Sequence, residues 1–348
     1  MQPMPPQQDD PAPGAPRTDG GDAASANPRD RRRRRILLGC GGAALVLLLA
    51  VAGGAYALQH SYNGQVERVE GALPTAGDRP AATGRGENWM LIGSDRRDDI
   101  PSMGARADAL MIVHLAESGD RVSVVAIPRD SWVPIPGHGT DKINAAFAYG
   151  GPRLLIRTVE KLTGIRIDHY AALDFGGFVE MTDALGGVTV TITEDTYDPK
   201  HQRAWEAGTQ HLDGLEALDF VRQRVNLPNG DLDRIKRQQA FLEALAGKAL
   251  DTRNPIRIDR FIRAVTGAVT VDETVSATTL RKLATRLLDV GTLEYVTTPV
   301  DRPAARGRQS VILLDHGRAA ELFAAVREDR IGEYVARIGG SNAVDAVR

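Results

Sequence analysis

A chain of 348 residues with 45 acidic and 43 basic side chains carries a net charge of −2, so a domain-wide basic surface is missing and nucleic-acid binding by the bulk of the chain is not indicated. Only six of the basic residues are Lys; the bias suits phosphate, which the planar fork of Arg meets better than an ammonium does, although genome base composition produces the same bias. Cys40 is the only cysteine and lies in an apolar run, so an intrachain disulfide is excluded and the folded part must be held by its own core.

Residues 1–30 are rich in Pro, Gly, Asp and Gln, a composition that cannot bury enough surface to offset chain entropy. With Arg31 to Arg35 they make a disordered tail, residues 1–35. Ile36 to Leu58 then runs for 23 residues without a charge. As a helix it would reach about 35 Å, enough for a hydrocarbon core of about 30 Å. Five arginines before a single span keep the tail in the cytoplasm and send the rest outside. Ala55-Tyr56-Ala57 has the form of a signal-peptidase site, but the apolar run is longer than that of a cleaved signal. An uncleaved single-pass anchor in the cell membrane, residues 36–58, is therefore expected.

Residues 59–86 are polar with Gly and Pro and read as a linker, so an extracellular domain over 87–340 is expected to begin near Glu87. From there short β runs alternate with amphipathic stretches, the pattern of an α/β domain. Strands are predicted over Asn88–Ser94, Asp108–Leu115, Arg121–Ile127, Ile167–Leu173, Val188–Thr193 and Leu293–Thr298. Helices are predicted over Lys142–Tyr149, Pro152–Leu162, Phe175–Leu185, Leu232–Leu250 and Thr278–Leu288. Phe175, Phe178, Val179, Met181, Thr182 and Leu185 recur at helical spacing, and Gly186-Gly187 is an ordinary helix stop.

Three segments could carry chemistry. Gly93-Ser94-Asp95-Arg96-Arg97 ends one strand, and Arg106-Ala107-Asp108 leads into the next. Two carboxylates among arginines could hold a hard cation such as magnesium while the arginines face a phosphate; the same residues also fit two ordinary salt bridges. Ile127-Pro128-Arg129-Asp130-Ser131 follows a strand, where ligands of α/β sheets bind, and Arg129 is a phosphate-clamp candidate. In Ala217 to Arg224, Arg222 and Arg224 share a side only if the piece is extended. Asn229-Gly230 makes a turn and Asp231 can cap the next helix, which puts Arg234, Arg237 and Gln238 on one face near a helix start that favours anions. The seven histidines show no metal-ligand spacing, and no Gly-x-Ser-x-Gly elbow or phosphate loop is present.

Taken in order, Met90 to Arg97, Arg106 with Asp108, Ile127 to Asp130, Asp141 to Ala146 with Tyr149-Gly150-Gly151, Phe175 to Gly187, Ala207 to Gly214, and Ala217 to Gln239 resemble the LytR-CpsA-Psr family. The likeness covers roughly Glu87 to Leu250. It implies an α-β-α layered domain with a central mixed sheet, an apolar groove for a polyprenyl chain and an arginine-lined mouth for its pyrophosphate. By the same resemblance Asp95 and Asp108 take the metal positions, normally magnesium. Arg106 and Arg129 join them as catalytic residues, and Arg97, Arg222, Arg224, Arg234 and Gln238 bind the lipid pyrophosphate. Val225, Asp233 and Ala109 stand where the family often has His, Gly and Thr, which bears on fine geometry.

The implied activity is a phosphotransferase that moves a glycopolymer from a polyprenyl pyrophosphate carrier in the membrane lipid to a sugar hydroxyl of peptidoglycan. A hydrolase using water as acceptor, or a membrane-anchored sensor of lipid-linked polymers, would use the same residues. A DNA regulator would need a cytoplasmic module, for which 35 residues are too short.

Overall fold

Residues 66–82, 85–94, 107–252, 254–276, 279, 283 and 291–339 are described in a computed structural model. The expected tail and the expected anchor, together with Asp95, Arg97, Arg106 and most of the helix predicted over 278–288, lie outside these residues. Among the described residues no helix is long and apolar enough to cross a membrane.

The strands are β1 (Glu67–Val69), β2 (Glu87–Ser94), β3 (Ala107–Leu115), β4 (Arg121–Ala126), β5 (Trp132–Ile135), β6 (Gly139–Lys142), β7 (His169–Asp174) and β8 (Val188–Ile192). They continue with β9 (Thr196–Asp198), β10 (Arg203–Trp205), β11 (Gly208–Leu212), β12 (Val269–Asp272), β13 (Thr292–Thr297), β14 (Val300–Arg306) and β15 (Gln309–Leu314). The helices are α1 (Ala145–Thr163), α2 (Phe175–Ala184), α3 (Gly214–Arg222), α4 (Asp231–Asp251), α5 (Pro255–Ala268), α6 (His316–Arg327) and α7 (Ile331–Arg337).

A seven-stranded sheet in the order β1-β12-β7-β2-β3-β4-β13 forms the middle layer. It is mixed: β2 pairs parallel with β7 and antiparallel with β3, while β4 pairs parallel with β13. The long apolar strands bury both faces, which is why they read as nearly continuous hydrophobic runs. Side chains alternate between two cores. Trp89, Met111, Val113, Val122 and Val124 face one core with α2, α3, α4 and α5. Met90, Ile92, Leu110, Ile112 and Val125 face the other with α1, α6 and α7.

Three expectations need correction. Part of the segment read as a linker belongs to the sheet: β1 pairs parallel with β12, Ala72 is buried, and Arg79 bonds Glu160 at 2.7 Å. The two helices predicted over 142–162 are present as the two arms of α1, which meet where Gly150 and Gly151 leave helical geometry; what changes is the start, since Lys142 ends β6. The piece before Arg222 is not extended. Asp213 accepts the backbone N–H of Glu216 while Glu216 reaches back to the N–H of Asp213, so a capping box starts α3 and carries it to Arg222.

Candidate functional site

The site lies where β2, β3, β4 and β7 meet the starts of α2 and α4. Asp174 caps α2 by accepting the Gly177 N–H, which sets Phe175 and Phe178 over the sheet. Gly177 has no room for a side chain, since a Cβ there would lie 1.7 Å from that of Ala268. Helix α2 therefore approaches the end of α5 closely. Between α2, α3, α4 and the sheet opens a groove of about 710 Å³, counting its open mouth. Its walls are apolar, with Met111, Phe178, Met181, Leu218, Val221 and Phe241 among them, and its polar lining includes Asp108, Arg222 and Gln238.

Arg222 is the last residue of α3, and its guanidinium lies 4.3 Å over the ring of Phe175. Gln238 donates to the Val221 carbonyl at 3.4 Å. Beside them, Asp108 at the start of β3 is ion-paired with Arg129, which follows β4. The Nε of Arg129 stands 3.7 Å from Asp231, and Arg234 contacts the same carboxylate one turn further along α4. Asp130 accepts Arg224 at 3.1 Å and Lys142 at 3.0 Å on its two oxygens.

These charges form one network. Burial pushes the Asp231 carboxyl up, Arg234 pulls it down, and Asp130, Arg129 and Arg224 act on it in turn. Burial draws Arg234 down to about 10, opposed mainly by Asp231, so it stays cationic near neutral pH. Asp231 was expected to cap α4, but Gly230 at φ 52° holds the cap position and Asp231 is the first helical residue, buried against the arginines.

The hydrogen bonds of this network are incomplete. Within the described residues, both Asp231 oxygens and the Nε atoms of Arg129 and Arg234 are buried without a partner of hydrogen-bond geometry, although the ion pairs place opposite charges nearby. Buried donors left open are costly, and oxygens of an anion would satisfy the two guanidinium N–H groups.

Of the described residues predicted for the site, Asp108, Arg129, Arg222, Arg224, Arg234 and Gln238 all fall on the groove or the network at its end. Arg237, placed on the same helical face as Arg234 by spacing, turns away: it donates to Gln223 at 2.7 Å and Thr196 at 2.8 Å over the ring of Phe220. Sequence reasoning missed Asp231 as a charge partner, together with Asp130 and Lys142. The Asp231/Arg234 spacing of three was the available signal. Asp233, where the resemblance favours Gly, accepts the Asn229 N–H at 2.9 Å and braces the turn before α4.

A magnesium ion fits the donor chemistry in part. Asp108 offers hard carboxylate oxygen on the groove wall, and this ion is commonly held by one or two carboxylates together with substrate phosphates. No group of three or more potential ligands converges among the described residues, and Asp95 lies outside them.

The fold and sequence have known counterparts. LcpB of Corynebacterium glutamicum, a probable cell wall biosynthesis protein, is 39% identical over 257 residues, 70% of this chain and 61% of that protein. The polyisoprenyl-teichoic acid–peptidoglycan teichoic acid transferase TagU of Enterococcus faecalis is 32% identical over 200 residues, 56% of this chain and 63% of TagU. The chain thus spans less than two thirds of either relative. A LytR-Csp2A-Psr enzyme from Actinomyces oris superposes with a TM-score of 0.62 at 22% identity, over 75% of this chain and 96% of that one, and shares the fold. The sequence model of the LytR_cpsA_psr family matches residues 57–327, well over half the chain, and the protein belongs to that family.

Proposed function

We propose that the protein is a membrane-anchored phosphotransferase that attaches a glycopolymer, carried on a polyprenyl pyrophosphate, to a sugar hydroxyl of peptidoglycan outside the cell. The observation that carries this reading is an apolar groove ending at Asp108, Arg222 and Gln238, beside a network of arginines with buried N–H groups left open. An isoprenoid tail is apolar and lies along such walls, while a pyrophosphate takes the charge-assisted hydrogen bonds that Arg129 and Arg234 leave open. The transfer named for TagU is a reaction of the same class.

In the proposed reaction the acceptor hydroxyl oxygen bonds to the phosphorus that carries the polymer. The bond from that phosphorus to the bridging oxygen breaks, and polyprenyl phosphate leaves with the electron pair. The hydroxyl proton passes to a nearby carboxylate, for which Asp95 is the first choice from sequence. Arg106, Arg129, Arg222, Arg224 and Arg234, with Arg97 and Gln238, hold the phosphate oxygens and offset the charge that develops on them. Magnesium, held by Asp108 and Asp95, would supply further neutralisation of the pyrophosphate.

The test is transfer from a synthetic polyprenyl pyrophosphate sugar to a peptidoglycan acceptor, with magnesium or with chelator. Asp108→Ala should lower turnover by a factor of about 100 or more, as for loss of an electrostatic transition-state contact, and chelator should do the same to the wild type. Equal rates for wild type and variant would refute the assignment of Asp108. Release onto water but never onto sugar would make the protein a hydrolase, and lipid binding without turnover would make it a sensor.

A further inference from the structure

On the far side of the phosphate network from the groove lies a surface that the transfer reading leaves without a task. Tyr149 is 49% exposed, yet it is held in place. Its ring stacks on that of His138, with centroids 4.8 Å apart and planes 14° from parallel, and its hydroxyl donates to Asp141 at 2.6 Å. The kink in α1 follows at once, at Gly150 and Gly151. A Cβ on Gly150 would come within 2.7 Å of Leu154, so the bend that turns Tyr149 toward Asp141 depends on glycine. An exposed, fixed aromatic face beside a carboxylate is suited to a pyranose ring, which has an apolar C–H face for stacking and hydroxyls at its rim for hydrogen bonds.

The platform is tied to the phosphate network through the backbone. The N–H of Asn144 donates to the carbonyl of Arg129 at 3.2 Å, that of Ile143 to Ser131 at 2.8 Å, and Lys142 reaches Asp130 at 3.0 Å. Its position relative to the sheet is what separates it from the donor. Groove residues such as Met111, Met181 and Phe241 belong to the core on one face. The β5–β6 hairpin and helix α1, which carry the platform, pack through Val133, Ile135 and Ala146 into the core on the other.

Resting on the proposed phosphoryl transfer, we propose that His138, Asp141 and Tyr149 form the subsite for the acceptor glycan, and that Tyr149 positions the attacking sugar. Displacement at phosphorus places the entering and leaving oxygens roughly in line on opposite sides. The polyprenyl phosphate leaves on the groove face, so the acceptor hydroxyl enters from the platform face. A donor sugar chain has no such requirement, and the platform is therefore assigned to the acceptor.

The experiment uses the full chain in detergent, with Tyr149→Ala and the ring-preserving Tyr149→Phe. Two quantities are read: the KM for a peptidoglycan glycan tetrasaccharide in the transfer assay, and its Kd by calorimetry with no donor present. Loss of one aromatic stacking contact should raise both about tenfold in Tyr149→Ala. Tyr149→Phe should stay close to wild type, and donor KM and release onto water should not change. An unchanged acceptor KM in Tyr149→Ala, with transfer intact, overturns the subsite while leaving the transferase reading in place. A rise in donor KM instead assigns the platform to the donor polymer and overturns the proposal. If the wild type transfers nothing, the binding arm still decides: loss of tetrasaccharide binding in Tyr149→Ala upholds the surface, and undiminished binding overturns it.

Discussion

Asp231 and Asp108 are both carboxylates beside Arg129, yet removing them should have opposite consequences. Asp231 is buried and stands against Arg129 and the almost fully buried Arg234. Truncating it leaves buried positive charge uncompensated, so Asp231→Ala should cost about 3 kcal/mol of stability. Asp108 keeps 18% of its side chain exposed, and water replaces it more readily. Asp108→Ala should cost no more than about 1 kcal/mol while suppressing transfer. Thermal melts of the two variants against wild type check both; equal melting shifts would mean that burial does not set the difference. The arginines of the site were legible as residue types because Arg129, Arg222, Arg224 and Arg234 stand at strand or helix ends. Of their carboxylate partners, Asp231 was open to the spacing of three from Arg234, whereas Asp130 meets Arg224 only across loops that sequence spacing does not relate.

At the scale of elements, β12 depends on one buried side chain. Asp272 accepts the backbone N–H of Tyr170 at 2.8 Å and that of Thr274 at 2.8 Å, and stands 3.5 Å from His169. Burial alone would raise its carboxyl, but the His169, Thr274 and Tyr170 contacts together hold it below the ordinary 3.8. A depressed folded value means that the unfolded chain takes up the proton first as pH falls. The stabilisation is complete above pH 3.8 and is lost as pH drops through the folded value. Urea midpoints measured between about pH 6 and pH 2 should fall more steeply for wild type than for Asp272→Asn, and the variant should lose about 1–3 kcal/mol near neutrality. Parallel profiles would remove Asp272 from the acid response. The element reading from sequence did well where periodicity was strong, as in β2, β3, β4, α2 and α4. It failed at α3, whose local signal is the capping box at Asp213 and Glu216. It also passed over β1, because three residues in a polar stretch carry too short a pattern to mark a strand.

For the whole molecule the expected arrangement is a cytoplasmic tail over 1–35, an anchor over 36–58 and the folded domain outside. It rests on five consecutive arginines before an uncharged run of 23 residues. Protease added to intact spheroplasts should degrade the domain and spare an epitope placed in the tail; survival of the domain with loss of the tail would reverse the orientation. The sequence alone determined the alternation of strands and helices, the missing disulfide, the family resemblance and the residue types of the site. Those properties are local or compositional, and short continuous stretches of chain carry them. Only the tertiary structure decided that Asp231 faces inward, that Arg237 leaves the group it seemed to join, and that groove and aromatic platform lie on opposite faces of one sheet. Each of these depends on which distant segments the mixed strand order β1-β12-β7-β2-β3-β4-β13 brings side by side, and local spacing contains no record of that order.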